Sequence, residues 1–373
     1  MWLLQQSDSI VSTSRKNEIA HTIKHRIIKH NMTPYYEHYE PILKSYIQFS
    51  TDELNELNQQ NDKILQLIEQ KIVDAKEQGG DTEYRDALLL RANHYADIGD
   101  KTKSLDNYEL TYDKTVGSSS KIDIVMALVR ISFAFSDIKL MKKYISRVKE
   151  LLELGGDWER KNLLQIYESY YYIYIREFNK SSKLLLSSIA TFTCYELISY
   201  QQFVLYTVIS SVICESRQII YKQVLHTPEI LQSIDDIPYL RQAITSLYES
   251  QYKRYFESLL GLESTILQDP LLSQHINWII REARIVAYQQ YLLSYRSVTL
   301  SSMANTFGIS VEFLDKELFR FIGSGRLIAK IDRVSGIIET VKADTKNRLY
   351  GEMIQHGDAL LNRIQKLTKV FSY

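Results

Sequence analysis

Two cysteines in 373 residues, Cys194 and Cys214, are too few to staple a fold. Both lie in apolar helical surroundings, too far apart for a C-x-x-C metal clip, and are expected to be reduced core thiols of an intracellular protein. Proline (5) and glycine (13) are scarce. A long chain with so little punctuation is expected to be helices joined by short turns. Net charge is absent, with 45 Lys+Arg against 45 Asp+Glu. That excludes a chain built to wrap nucleic acid non-specifically and leaves only local patches to consider. No apolar run approaches the roughly 20 residues that span a bilayer, so no membrane partner is expected. The start "MWLLQQSDSI" has no h-region and is not expected to be a secretory signal.

The motifs of catalysis are missing too. No G-x-x-x-x-G-K-[ST] loop cradles a triphosphate and no G-x-S-x-G elbow presents a serine. "GSGRL" closes a helix before a strand, the wrong context for a dinucleotide. His21 and His25 sit at i,i+4, but "HTIKH" lacks the glutamate of H-E-x-x-H and has no third ligand, so a solvated helix face is expected. Carboxylates are scattered along polar helix faces and nothing marks a pair. No catalytic, cofactor or metal residue is assigned, and no enzyme is expected.

Helical periodicity fills most of the chain. Residues 15–48 read as helix broken near Pro34 and Pro41. Residues 51–78 read as one long polar helix with a narrow stripe of Leu54, Leu57, Ile64, Leu65, Ile68 and Ile72. Helical pairs follow, turning near Gly99-Asp100, Ser136-Asp137 and Glu177-Phe178, at intervals of about 40 residues that suit helical repeats. Against the tetratricopeptide pattern, Ala92, Tyr95, Gly99, Ser104 and Tyr108 fall where small or aromatic packing residues are wanted, while Arg91 and Val116 depart from it. Each pair has an apolar face it cannot bury alone, so stacking into a right-handed solenoid is expected. The aromatic run "YESYYYIYIREF" offers stacking platforms for bases in principle. Its Leu163, Ile166, Tyr167, Tyr170, Ile173 and Tyr174 trace one helical stripe, and solenoid core is the expectation. Helices continue from Tyr200 to Tyr295, with breaks near Arg217, Pro228, Pro238 and Pro270.

"TLSSMANTFGISVEFLDKELFRFIGSG" reads as a helix-turn-helix. Thr299 and Ser310 are placed as N-caps, Gly308 in the turn. Leu300, Met303, Ala304 and Phe307 form the inner face of the first helix, and Val311, Leu314, Leu318 and Phe321 that of the second. Two strands, Arg326 to Ile331 and Gly336 to Val341, complete a winged helix. A module that reads DNA needs a basic second helix. Here Glu312, Asp315 and Glu317 outnumber Lys316 and Arg320 and are expected to repel phosphate. Protein contact, through an exposed sheet edge, is expected instead. A last helix, from about Thr345 to Val370, carries Met353, Gly357, Leu360, Ile364, Leu367 and Phe371 at alternating steps of four and three. This seam follows a completed domain. It either joins a bundle with other chains or packs back on its own domain.

The expected segments are therefore N-terminal helices (1–50), the long polar helix (51–78), tetratricopeptide-like repeats (79–195), a helical subdomain (196–296), a winged helix (297–343) and a terminal helix (344–373). This layout resembles PCI-domain proteins, the scaffolds of the proteasome lid, the signalosome and translation initiation factor three. "RDALLLRANHYADIGDKTKSLDNYELTYDKTV", "GGDWERKNLLQIYESYYYIYIREF", "KIDRVSGIIET" and "GDALLNRIQKL" are similar to the Rpn seven family of lid subunits, from about Asn31 onward. The first 30 residues are less alike, and the chain is expected to begin a little inside the family's usual N-terminus. The signalosome relative shares part of "GGDW", but the wing and tail favour the lid. The resemblance implies a non-catalytic scaffold supporting ATP-dependent degradation of ubiquitylated proteins in cytoplasm and nucleus. Its implied partners are other PCI subunits of the lid, with the ATPase ring reached by the N-terminal solenoid, and neither nucleic acid nor cofactor. The implied wing contact is Leu327, Ile328, Lys330, Ile331, Ile337, Ile338 and Thr340. The implied bundle contact is Met353, Leu360, Leu361, Ile364, Leu367 and Val370.

Overall fold

The computed structural model describes Leu4, Gln6 and residues 13–47, 49–77, 79–340 and 345–371. Val341, expected to end a wing strand, lies outside the described residues, as do Gln48 and Gln78 at expected helix ends. The side chains of Val370 and Phe371 lie outside them as well. The chain groups into two compact units, Met1–Tyr248 with Glu257–Ile280, and Glu249–Phe256 with Arg281–Tyr373. This grouping cuts across the segment 196–296 read from the sequence.

The first unit opens with α1 (Thr13–Lys29) and α2 (Thr33–Leu43). Pro34 sits in the first turn of α2, where its missing N–H costs nothing, and Pro41 is carried inside the helix. The break expected at the prolines falls instead at Asn31, in the left-handed region at φ 51°. The long polar helix is α3 (Thr51–Glu77). Of its expected stripe Leu57 is buried, Leu54, Leu65, Ile68 and Ile72 are half-buried, and Ile64 is exposed. Asn61 takes the next inward position, and its Nδ2 donates to Asn31 O at 2.9 Å.

The repeats are α4 (Asp81–Ile98) with α5 (Lys101–Lys114), α6 (Ser118–Ala134) with α7 (Ile138–Glu153), and α8 (Trp158–Tyr174) with α9 (Phe178–Ser187). All three turns are built alike. A left-handed residue ends the first helix, at Gly99 (φ 80°), Ser136 (φ 53°) and Arg176 (φ 66°), and an acid follows it. Asp100 caps α5 by accepting from Lys103 N at 3.1 Å, and Asp137 caps α7 by accepting from Lys139 N and Leu140 N. Only the first turn uses glycine, the residue that adopts this conformation without strain. Gly99 has a second reason. A Cβ there would lie 2.7 Å from Tyr35 Cβ on α2.

Ala92, Ser104 and Tyr108 are buried, as the repeat pattern asks. The aromatic run forms solenoid core. Tyr167, Ile166 and Ile173 are fully buried, Tyr167 stacks on Phe133, and Tyr170 meets Phe133 edge-on at 5.0 Å. Cys194 is buried and Cys214 partly so, and neither is part of a disulfide. Burial pushes the Cys194 thiol up to about 11.

The unit continues with α10 (Tyr200–Cys214), whose Ser199–Gln202 capping box satisfies two orphan donors. After α11 (Arg217–Ile219) the backbone widens into a π-helix over Ile220–Leu225, followed by α12 (Pro228–Ile234) and α13 (Leu240–Tyr248). Helices α14 (Tyr252–Leu267) and α15 (Ile276–Ser294) contribute residues to both units. In the first unit, buried Asp269 accepts from Tyr206 Oη at 2.8 Å and from Leu271 N and Leu272 N. Among the described residues no helix is long and apolar enough to cross a membrane.

Candidate functional site

The second unit is organised around one aromatic side chain. β1 (Ser297–Thr299) leads into α16 (Leu300–Phe307), then α17 (Val311–Gly323), β2 (Ala329–Asp332) and β3 (Ile337–Thr340). Thr299 Oγ1 accepts from Ser302 N at 3.3 Å and Ser310 Oγ from Phe313 N at 3.4 Å, so both caps sit where the sequence places them. Gly308 turns the chain at φ 69°. Leu300, Met303, Ala304 and Phe307 are all buried. Phe307 is surrounded by Tyr252, Phe256, Tyr288 and Tyr291, with ring centroids 4.8–5.5 Å away. Burying such a ring contributes about 3 kcal/mol, and the offset ring pairs add to it.

The sheet has three strands in the order β1-β3-β2, all antiparallel. The sequence gives two of them. β1 is three residues long, too short for an alternation to register. Its Val298 lies opposite Ile338 on the central strand, and the Thr340 hydroxyl ties β3 to Tyr295 O at 2.7 Å. The wing turn is held by Asp332, whose Oδ1 accepts from Val334 N and Oδ2 from Ser335 Oγ. These bonds keep its carboxyl below the usual range.

Helix α17 departs from the sequence reading in two residues. Val311, placed on the inner stripe, is exposed. Glu317, placed where it would repel phosphate, is buried at 8% exposure. It accepts from Tyr288 Oη at 3.0 Å and pairs with Arg284 at 2.8 Å. Burial and the Glu317 carboxylate push the Tyr288 phenol up. Asp315 is engaged by Arg333 at 3.0 Å. The outward face of α17 is therefore Val311, Glu312, Phe313, Lys316, Phe319 and Arg320, with Arg333 5.8 Å from the Phe319 ring centre. Phosphate repulsion does not characterise this face. Aromatic and arginine side chains do, a composition typical of protein contacts. Glu317 was findable: it stands three residues after Leu314, on the same face as the apolar stripe.

The wing residues divide. Leu327 and Ile338 are buried in this chain's own core and offer nothing to a partner, because the inward side of the pleat faces the winged helix's own interior, where β2 packs on α17. Ile328 and Lys330 are exposed, and Ile331, Ile337 and Thr340 are half-buried. Lys330 stands opposite Glu339 across β2 and β3. The outer strands β1 and β2 are both edges.

The terminal helix α18 spans Thr345–Phe371. Met353 is 70% exposed, Leu360 58%, Leu361 57%, and Ile364 and Leu367 56% each. Leu349, Tyr350 and Ile354 are exposed beside them. Of the two expectations for the seam, packing back on its own domain does not hold for these residues. Such an apolar stripe left in water is the mark of a helix that completes its packing elsewhere.

His21 and His25 are exposed on α1. Among the described residues no group of three or more His, Cys, Asp or Glu side chains is arranged to hold a metal.

A helical solenoid that ends in a winged helix and an unburied terminal helix defines a PCI-domain protein, and a PCI domain model matches residues 238–342. A model described as 26S proteasome subunit RPN7 matches residues 50–223, and one described as the 26S proteasome regulatory subunit RPN7/PSMD6 C-terminal helix matches residues 350–371. The chain is 41% identical to the 26S proteasome non-ATPase regulatory subunit 6 homolog of Arabidopsis thaliana, covering 99% of this chain and 95% of that one. It is 33% identical to the 26S proteasome regulatory subunit RPN7 of Saccharomyces cerevisiae, covering 98% and 90%. COP9 signalosome complex subunit 1 of Arabidopsis thaliana is 29% identical over 44% of this chain and 37% of its own length. The chain belongs to the RPN7 family of 26S proteasome regulatory subunits, the non-ATPase subunit 6 family.

Proposed function

We propose that this chain is a non-catalytic scaffold subunit of the proteasome lid, which supports ATP-dependent degradation of ubiquitylated proteins by holding other subunits in place. The observation that carries the reading is α18, with Met353, Leu360, Leu361, Ile364 and Leu367 all in water. These residues seat in a bundle with the terminal helices of other PCI subunits. The sheet edge, with Ile328 and Lys330 outermost, pairs with a neighbouring winged helix. The N-terminal solenoid reaches the ATPase ring. Neither nucleic acid nor a membrane is a partner, and the chain works in cytoplasm and nucleus. The signalosome reading loses support from the short span of the COP9 likeness.

The test is native purification of the tagged chain with mass spectrometry of its companions. Co-recovery of lid, ATPase-ring and core-particle subunits, with ATP-stimulated degradation of a ubiquitylated protein, is the expected result. Recovery in a complex without ATPases or proteolytic core overturns it in favour of the signalosome. Free chain bound to nucleic acid overturns the scaffold reading altogether.

A further inference from the structure

Helix α18 contains two glycines, Gly351 and Gly357, that nothing inside this chain requires. Neither has the left-handed backbone that favours glycine. Apart from the local helix backbone, no atom of the described residues lies within 4 Å of where a Cβ would stand at either position. Glycine is among the poorest residues for a helix interior, and alanine has room at both positions. A helix that keeps glycine against its own stability, with no internal contact to justify it, points to a contact outside the chain.

The two positions differ in their surroundings. At about 100° per residue, the apolar side chains of α18 occupy an arc of about 140°, from Leu349 and Leu367 on one side to Leu361 and Ile354 on the other. Gly357 falls at the centre of that arc. Residues three and four positions away are neighbours on a helix surface, and for Gly357 these are Met353, Ile354, Leu360 and Leu361. All four are large, apolar and more than half exposed. From Leu349 to Thr368 every residue is exposed except Gly357, which is half-buried, shaded by these neighbours. The result is a socket, an apolar rim round a floor of bare backbone. A hole bounded by four side chains is what receives a knob when helices pack. Gly351 lies about 120° round the helix from Gly357, on the side of Asp358 and Asn362, outside the arc.

Charge narrows the occupant. The helix TKNRLYGEMIQHGDALLNRIQKLTKVF has five Lys and Arg against two acids, so an acidic helix complements it better than a second copy does. Fluid lipid would cover the arc as well over alanine as over glycine, whereas a socket suits a fixed side chain.

We infer, resting on the proposed seat of α18 in a bundle, that Gly357 receives one large apolar side chain, leucine or phenylalanine, carried on an acidic helix of a neighbouring lid subunit. The knob reaches the α18 backbone, and the two axes approach to the short end of the helix-packing range, about 8 Å. Any side chain at position 357 fills the socket, forcing the axes apart or sliding the helices out of register.

The test compares Gly357→Ala, Gly357→Leu and Gly351→Ala in the full chain, each tagged and co-expressed with the other lid subunits. Native gels read the fraction recovered in assembled lid, and circular dichroism with chemical denaturation follows each isolated chain. Gly357→Ala is expected to keep or raise the isolated chain's helicity and midpoint, yet to lower assembly about tenfold when partners are limiting. Gly357→Leu is expected to abolish assembly while remaining helical. Gly351→Ala makes the same chemical change outside the arc and is expected to assemble as the original chain does. Normal assembly of both Gly357 variants overturns the socket, and so does a loss in Gly351→Ala equal to that in Gly357→Ala. Leu360→Asp with Ile364→Asp then separates the two readings. If that pair blocks assembly, α18 still seats in the bundle and only the socket falls; if it does not, the bundle reading falls as well. A homodimer of the isolated chain, or its binding to phosphatidylserine vesicles, that Gly357→Leu abolishes assigns the socket to a second copy or to lipid and overturns the inference.

Discussion

At the scale of single residues, the repeat turns show how geometry outlasts identity. Gly99, Ser136 and Arg176 share one backbone conformation, yet only glycine takes it freely. The left-handed region costs an ordinary residue about 1–2 kcal/mol, while glycine's extra freedom in the unfolded chain costs about 0.5–1 kcal/mol. Ser136→Gly is therefore expected to stabilise the chain by about 0.5 kcal/mol, read as a raised denaturation midpoint with unchanged slope. Gly99→Ala is expected to cost at least about 2 kcal/mol in the same measurement, because left-handed strain adds to the clash with Tyr35.

His275 makes a prediction with a sign. Its Nδ1 accepts from Arg176 Nε at 3.2 Å, so the ring's proton is on Nε2, which donates to Tyr174 O at 3.2 Å. Burial lowers the imidazole's pKa, and the Arg176 charge lowers it further against the pull of the Tyr174 carbonyl. A group with a depressed folded-state pKa contributes stability above its unfolded pKa, about 6.5 for histidine. That stability is lost as pH falls below this value towards the folded pKa. His94 is depressed in the same direction, mainly by burial. The denaturation midpoint is expected to drop as pH is lowered from neutrality through 6.5, and His275→Gln to flatten that drop. A midpoint equally steep in the variant sinks the assignment.

At the scale of elements, what the sequence made legible follows from period and length. Helices of ten residues or more carry their own apolar face, and the repeat pairs are found where the stripes and turn residues put them. The caps at Thr299 and Ser310 are legible because capping is a local bond. β1 is not, since three residues have no period and gain their place from Ile338, forty residues further on. The inward position of Glu317 is legible from its spacing to Leu314, but its partners Tyr288 and Arg284, and the split of the wing into buried Leu327 and Ile338 against exposed Ile328, are tertiary facts: only the packed neighbours decide them. Phe307 concentrates this packing, and Phe307→Ala is expected to destabilise the winged helix by about 3–5 kcal/mol, measured by protease resistance or chemical denaturation. In contrast, Leu360→Asp with Ile364→Asp is expected to leave the isolated chain's stability within about 0.5 kcal/mol, because both side chains are already in water. The same pair of substitutions is expected to block entry into the complex, since a carboxylate buried in a bundle without a partner costs several kcal/mol, order of magnitude about 3. Analytical ultracentrifugation of reconstituted lid reads the difference. Normal assembly of the double variant removes α18 from the interface.

At the scale of the whole molecule, charge balance matters more than any motif. The chain has equal numbers of acidic and basic residues and a pI of about 7.1. Nothing repels one copy from another near neutral pH, and α18 offers an apolar stripe. The isolated chain is expected to be least soluble near pH 7 and to clear as pH moves away from it, with static light scattering as the measurement. The double variant in α18 is expected to narrow that turbid range.

The stripe on α18 also has a consequence for how much of this protein a cell keeps. On the proposed assembly, a chain made in excess of its partners displays a row of leucine, isoleucine and methionine side chains that an assembled chain covers. That row is what holdase chaperones and degradation machinery select on. Abundance is then expected to be set by the supply of companions rather than by the rate of synthesis, with surplus copies short-lived. A subunit of this kind carries its own inventory signal, legible only while it is alone.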